Sequence, residues 1–258
     1  MQAVALIIDL RNNTLGEVAF LDRKWAQFRQ AVRDDPLDFI DRVAYRFLGA
    51  TLWYVPFNRT EEAKRDFIAG MHGYGQLTSP KIVRAFNLAR FRRMVDLGGA
   101  TGHLAMAACR RYPKLRAAVF DLPSVIEVAR EYVQTARLVS RIELKPGDFF
   151  SDPLPEADLF SMGRILHDWS EEKIRRLLEK IYIRLPKGGA LLVAERLLDD
   201  SKTGPLSALL QSLNMLVCTE GKERTLAEYA ALLRDSGFSK AEGRKTGAPL
   251  DAILAVKG

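Results

Sequence analysis

The stretch Leu166-His167-Asp168-Trp169 sets a histidine beside a carboxylate, a pairing able to take a proton from a substrate hydroxyl. The chain has three histidines, His72, His103 and His167, and only His167 sits among acidic residues in a setting that suggests chemistry. A neutral imidazole titrates close to pH 7, which suits a general base. Upstream lies Val95-Asp96-Leu97-Gly98-Gly99-Ala100-Thr101-Gly102, a glycine-rich turn. Glycines permit φ > 0 and remove the Cβ atoms that would keep a ligand from the backbone. A nucleotide-cofactor cradle and one well-placed base together imply an enzyme.

The elements that must carry these residues follow from hydrophobic periodicity. Before residue 91 the chain reads as helices. Val18, Leu21, Trp25, Phe28 and Val32 form one amphipathic stripe, broken at Asp35-Pro36. Thr60-Glu61-Glu62 opens another helix to about Met71, and Ser79-Pro80 a further one to about Leu88. From Phe91 strands alternate with helices: 93–97, 115–121, 141–144, 157–162 and 189–195 read as strands. Helices near 206–217 and 226–236 precede a terminal pair around 241–243 and 252–256, joined too closely for a crossover helix and hence antiparallel. Repeated strand–helix units imply a parallel sheet covered on both faces.

At 258 residues the chain is long enough for one large α/β domain plus an appendage. No run of eighteen apolar residues exists, so no membrane span is expected. The N-terminus lacks a basic n-region and a clear cleavage site, and Cys109 and Cys218 have no metal-ligand spacing. A cytoplasmic location follows as the expectation. The net charge of +7 is concentrated at residues such as Arg84, Arg90, Arg92, Arg93, Arg110, Arg111 and Lys114. These fall on helix surfaces and turns without a nucleic-acid-binding motif, so a solvated basic surface is expected and no nucleic-acid partner.

The turn's spacing narrows the cofactor. A dehydrogenase pattern G-x-G-x-x-G would need glycines at 98, 100 and 103, where Ala100 and His103 interrupt it. The arrangement Asp-x-Gly-x-(Gly/Ala)-x-Gly fits better and is the motif of S-adenosylmethionine-dependent methyltransferases. Asp121, ending the next strand, offers a carboxylate to both ribose hydroxyls of a nucleotide.

Further motifs are Val119-Phe120-Asp121-Leu122-Pro123, Gly147-Asp148-Phe149-Phe150-Ser151-Asp152-Pro153-Leu154-Pro155, Leu166-His167-Asp168-Trp169 and Gly221-Lys222-Glu223-Arg224-Thr225. In these and in Ser212–Val217 and Leu250–Ala255 the chain closely resembles the small-molecule O-methyltransferases that include the acetylserotonin (hydroxyindole) and plant caffeate enzymes. The resemblance implies a doubly wound, Rossmann-like class I methyltransferase sheet of seven strands, the last antiparallel, at 91–258. A helical segment at 1–90 would be the remnant of a dimerisation domain and linker. It also implies that S-adenosylmethionine is the methyl donor, leaving as S-adenosylhomocysteine, without a metal. His167 would be the general base, with Glu195 and Glu223 orienting its ring and stabilising imidazolium. Asp96, Gly98, Gly102, Asp121 and Leu122 would line the cofactor, with Asp148 and Phe149 on the adenine side and Arg164 a further contact. Asp168, Asn214 and Cys218 would face a small hydroxy-aromatic substrate.

Departures from the pattern accompany this likeness. Family members begin with a winged-helix dimerisation domain, and the likeness leads to the expectation that Met1 stands near its end, with weakened homodimerisation and weak activity. Ala100 replaces the commoner glycine, tolerable for a residue with negative φ. Cys218 stands where the acetylserotonin enzymes carry a glutamine, and aromatic cofactor contacts are missing near Asn58 and Gly75. A catalytically silent cofactor-binding or scaffold protein is the competing reading. A nicotinamide dehydrogenase and a nucleic-acid methyltransferase are weaker ones. The sequence leaves open whether oxygen, nitrogen or carbon accepts the methyl group.

Overall fold

The computed structural model describes residues 61–258, apart from the side chains of Glu62, Ala63, Val217 and Cys218. The helical stripe at 18–32 and the cap at Thr60 lie outside the described residues. Two compact units divide the chain, one of Met1–Lys64 with Leu216–Cys218 and one of Arg65–Met215 with Thr219–Gly258. The second contains the sheet, and its architecture is as follows.

In order, the elements are α1 (Glu61–Ala85), β1 (Arg93–Leu97), α2 (His103–Arg111), β2 (Arg116–Asp121), α3 (Pro123–Thr135), β3 (Ile142–Pro146) and β4 (Leu159–Gly163). A 3-10 turn (Leu166–Asp168), α4 (Glu171–Arg184), β5 (Ala190–Glu195) and β6 (Leu197–Leu198) come next. The chain ends with α5 (Leu206–Cys218), β7 (Arg224–Thr225), α6 (Leu226–Asp235), β8 (Lys240–Arg244) and β9 (Asp251–Val256). Seven strands form one sheet in the order β3-β2-β1-β4-β5-β9-β8. The first five are parallel, and β9 runs antiparallel to both β5 and β8. This is the expected class I methyltransferase sheet with its last strand reversed.

Strand alternation assigns each face its helices. Met94, Val119, Leu159 and Leu192 point to the side where Ile82 and Val83 of α1, Leu104 and Ala108 of α2 and Ile126 and Val133 of α3 pack. Val95, Phe120, Phe160 and Val193 point to the other side, against Ile174, Leu178 and Ile181 of α4 and Tyr229 and Leu233 of α6. The order of strand addition reverses between β1 and β4, and open α/β sheets carry their ligands at the strands' carboxyl ends beside such a switch point.

Two expectations are corrected. The break at Ser79-Pro80 does not occur: α1 runs unbroken through Pro80. Proline in a helix interior forfeits one backbone hydrogen bond at a cost of about 3 kcal/mol. Burial of Ile68, Ile82 and Val83 along the same helix offsets that loss, at roughly 1.5–3 kcal/mol for each such side chain. Ala100 has φ of +48°, left-handed rather than negative. The short parallel pair β6–β7, matching Leu197 with Arg224 and Leu198 with Thr225, also escaped the sequence pattern, because two residues show no period.

Candidate active site

The carboxyl ends of β1, β2, β4 and β5 bring the chemistry-bearing residues to one edge of the sheet. After β1 the backbone turns through Gly98 (φ +62°), Ala100 (+48°) and Gly102 (+79°). A Cβ on Gly98 would lie 2.5 Å from Cδ1 of Ile165 and 3.4 Å from Cε1 of Phe149, so only glycine leaves this surface open. The Asp121 carboxylate holds the turn in shape. Its Oδ2 accepts the Ala100 amide and its Oδ1 the Leu122 amide, each at 2.8 Å. Burial raises the Asp121 pKa, while those two amides oppose the rise.

Asp96 is buried at the end of β1, where Ser161 of β4 donates its hydroxyl to Oδ1 at 2.6 Å. Burial pushes the Asp96 carboxyl up to about 7, and its Oδ2 is left without a partner among the described residues. A buried oxygen of this kind calls for a proton or a ligand donor. Asp148 bonds locally, its Oδ1 accepting the Phe150 amide at 2.8 Å. Phe149 packs at a tilt of 58° against Phe150, which meets Trp169 edge-on. Arg164 (φ +58°) turns its guanidinium toward α1, over the Tyr74 ring and 2.9 Å from Sδ of Met71.

The second cluster surrounds His167. Its Nδ1 lies 2.7 Å from Oε1 of Glu223 and 3.6 Å from Oε2 of Glu195, and its Nε2 lies 3.5 Å from Oδ1 of Asp168. All three of His167, Glu195 and Glu223 are buried. Glu195 accepts the amides of Ile165 at 3.1 Å and Leu166 at 2.9 Å, which fixes the turn leading to the histidine. Gly221 allows the loop before β7 to close over that turn. A Cβ there would run into the His167 carbonyl, and the Glu220 amide bonds the Asp168 carbonyl at 3.1 Å. The Ser212 hydroxyl accepts nothing from the imidazole but takes the Glu223 amide at 3.2 Å, tying the loop to α5.

Charges in this pocket are strongly coupled. Burial lowers the His167 pKa, but Glu195, Glu223 and Asp168 overcome it and bring it to about 9. Burial raises Glu195 to about 7 against the pull of His167, and raises Asp168 as well. Buried Tyr229, beside Glu195 and Glu223, has its phenol pushed far above the ordinary range. One ligand atom from each of His167, Glu195 and Glu223 lies within 4.8 Å of the others, so the trio is also a donor set for a metal ion. The short Nδ1–Glu223 hydrogen bond already supplies what the imidazole needs.

Thus the structure gathers His167, Asp168, Glu195 and Glu223, and separately Asp96, Gly98, Gly102, Asp121, Leu122 and Phe149. Asn214 is half-buried on α5, and Cys218 ends that helix with its side chain outside the described residues. A cavity of about 570 Å³ between α1, α2 and α3 is lined by His72, Gly75, Ser79, His103, Arg110 and Tyr132 among others, with none of the His167 cluster. Sequence reasoning missed Ser161, Gly221 and Arg224 as parts of the site. The visible signals were a serine inside the apolar run 157–162 and the motif Gly221–Thr225 that contains the other two.

Comparison with known proteins bears on this geometry. An O-methyltransferase domain model matches residues 25–239. Acetylserotonin O-methyltransferase of Bos taurus is 41% identical over 233 residues, 90% of this chain and 66% of that protein. A probable bifunctional dTTP/UTP pyrophosphatase/methyltransferase protein of Homo sapiens is 44% identical over 201 residues, 78% of this chain and 32% of that protein. The chain therefore spans less than two thirds of the length of these curated relatives. The crystal structure of human N-acetylserotonin methyltransferase in complex with SAM superposes with a TM-score of 0.77 at 38% identity, covering 85% of this chain and 69% of that one.

Proposed function

The chain belongs to the O-methyltransferase domain family, and from that membership we propose that it transfers a methyl group from S-adenosylmethionine to a hydroxyl of a small aromatic molecule, with His167 as the base. The observation that carries the reading is the buried His167–Glu223 hydrogen bond beside a glycine turn shaped for a ligand. A solved relative bound to SAM and relatives named for acetylserotonin support the donor and the acceptor class.

The residues at the turn fit the donor. The Gly98 surface leaves backbone room, Asp121 stands at the end of β2, and Asp96 has a free buried oxygen. Asp96, Gly98, Gly102, Asp121, Leu122, Asp148 and Phe149 would hold it, with Arg164 swinging from α1 to join them. When bound, S-adenosylmethionine supplies an electrophilic methyl on sulfonium.

The chain's own contribution is proton transfer and placement. Nδ1–H of His167, donated to Glu223, leaves the Nε2 lone pair to accept the hydroxyl proton. Glu195 and Glu223 stabilise the imidazolium that forms. The acceptor oxygen must also be held in line with the methyl carbon, so geometry weighs as much as basicity. Asp168 and Asn214 are the side chains assigned to that positioning.

Turnover of a panel of phenols and hydroxyindoles with radiolabelled methyl donor tests the proposal, alongside calorimetric titration with S-adenosylhomocysteine. Labelled product that disappears in His167→Ala, while S-adenosylhomocysteine affinity stays within about twofold, is the expected result. General-base loss lowers turnover by roughly 10²–10⁴-fold. Cofactor binding with no product from any acceptor would favour a silent scaffold.

A further inference from the structure

We propose that Arg224 is a positioning residue that locks the base onto its acid, an inference that rests on His167 being the base. Arg224 is 1% exposed, and it forms no ion pair with a carboxylate among the described residues. Its Nη1 donates to two carbonyls, that of Leu166 at 3.3 Å and that of Lys222 at 3.1 Å. Leu166 immediately precedes His167, and Lys222 immediately precedes Glu223. One nitrogen therefore joins the peptide groups just upstream of both partners in the 2.7 Å contact.

The surroundings fix that nitrogen. Arg224 pairs with Leu197 in the β6–β7 ladder, two residues after Glu195, and its guanidinium sits 5.9 Å from the Tyr229 ring centroid. Its Nε has no partner among the described residues. Burying a guanidinium without a paired carboxylate is expensive, and an apolar side chain of similar volume would fill the space at lower cost. Arginine alone supplies a permanently charged, planar donor that reaches both carbonyls from inside the core.

Arg224→Met and Arg224→Lys, each alone and combined with His167→Ala, test the assignment by a double-mutant cycle. Arg224→Met should lower kcat at least about tenfold with cofactor affinity nearly unchanged, since small misplacements cost up to roughly 10²-fold. In the His167→Ala background the same substitution should cost nothing further. Arg224→Lys, which keeps a charged donor group but loses the planar guanidinium, should fall between. An equal loss in both backgrounds would overturn the proposal, because Arg224 would then act independently of His167. Turnover retained by His167→Ala alone would instead refute the base. Should the methionine variant not fold, ring-proton NMR titration of Arg224→Lys needs no turnover. A lowered His167 midpoint is expected, and an unchanged one would overturn the assignment.

Discussion

Nδ1 of His167 lies 2.7 Å from Oε1 of Glu223, a residue 56 positions further along the chain. The contact is buried, and the carboxylates around the imidazole make its proton hard to remove. Burial alone would lower the His167 pKa, and the surrounding carboxylates instead carry it to about 9. A base works only when unprotonated, so raising its pKa moves the acidic limb of the rate profile to higher pH. The profile of kcat/KM should therefore climb from pH 7, pass half its maximum near pH 9 and level off only above that. Glu223→Gln removes one raising neighbour and leaves the burial, and its limb should shift downward. A limb at the ordinary histidine value in both proteins would refute this account.

Ala100 carries its methyl group at φ of +48°. An L-residue in the left-handed region costs roughly 1–2 kcal/mol that glycine does not incur. Ala100→Gly should therefore be neutral or stabilising, by up to about 1 kcal/mol once the extra freedom of the unfolded chain is deducted. The corresponding rise in Tm is a few degrees by calorimetry. A fall in Tm would mean that the methyl group packs usefully.

Gly75 of α1 faces the His103 ring, and a Cβ built on it would overlap that ring. His103 is itself held by Ser79, with Nδ1 2.9 Å from the hydroxyl. Gly75→Ala should destabilise the fold by about 1–3 kcal/mol, the usual cost of overpacking. Combining it with His103→Ala should recover much of that loss, giving a coupling energy above about 0.5 kcal/mol in urea unfolding. Simple additivity would show that the ring moves aside freely.

Asp96 is buried with a carboxyl raised from 3.8 to about 7. The folded state holds this proton longer than the unfolded chain does, so the group's contribution to stability is full below the unfolded value. It is lost as pH rises through the folded value. Asp96→Asn has no such dependence and keeps an oxygen for the Ser161 hydroxyl. The difference in Tm between variant and wild type should widen in favour of asparagine from about pH 4 to 7, then stay level. A constant difference across that range would contradict a raised Asp96.

Local periodicity made most of the sheet legible. The apolar strands at 93–97 and 189–195 and the close spacing of the last two strands were enough to place β1, β5, β8 and β9. Pro80 misled because the cost of a proline is local, whereas the burial that overrides it comes from a sheet distant in sequence. The sign of φ at Ala100 depends on Asp121 gripping the turn, which no spacing reveals. The clustering of His167, Glu195 and Glu223 followed from the family likeness, and the structure brings the three side chains together. Arg224 and Gly221 lie in the motif Gly221–Thr225, yet no role was read for them, because bonds to backbone carbonyls and missing volume have no side-chain signature.

The Asp121 carboxylate bonds the Ala100 and Leu122 amides, so the chain's own hydrogen bonds hold the turn in shape. A cradle braced in this way forfeits little ordering entropy on association. On the proposed reading, what it grips is the adenosine half of the donor, which methyl transfer leaves untouched. Such uniform binding does not favour the transition state. It holds spent and fresh cofactor alike, so spent cofactor should inhibit by competition, and turnover in a cell would depend on how quickly other enzymes remove it.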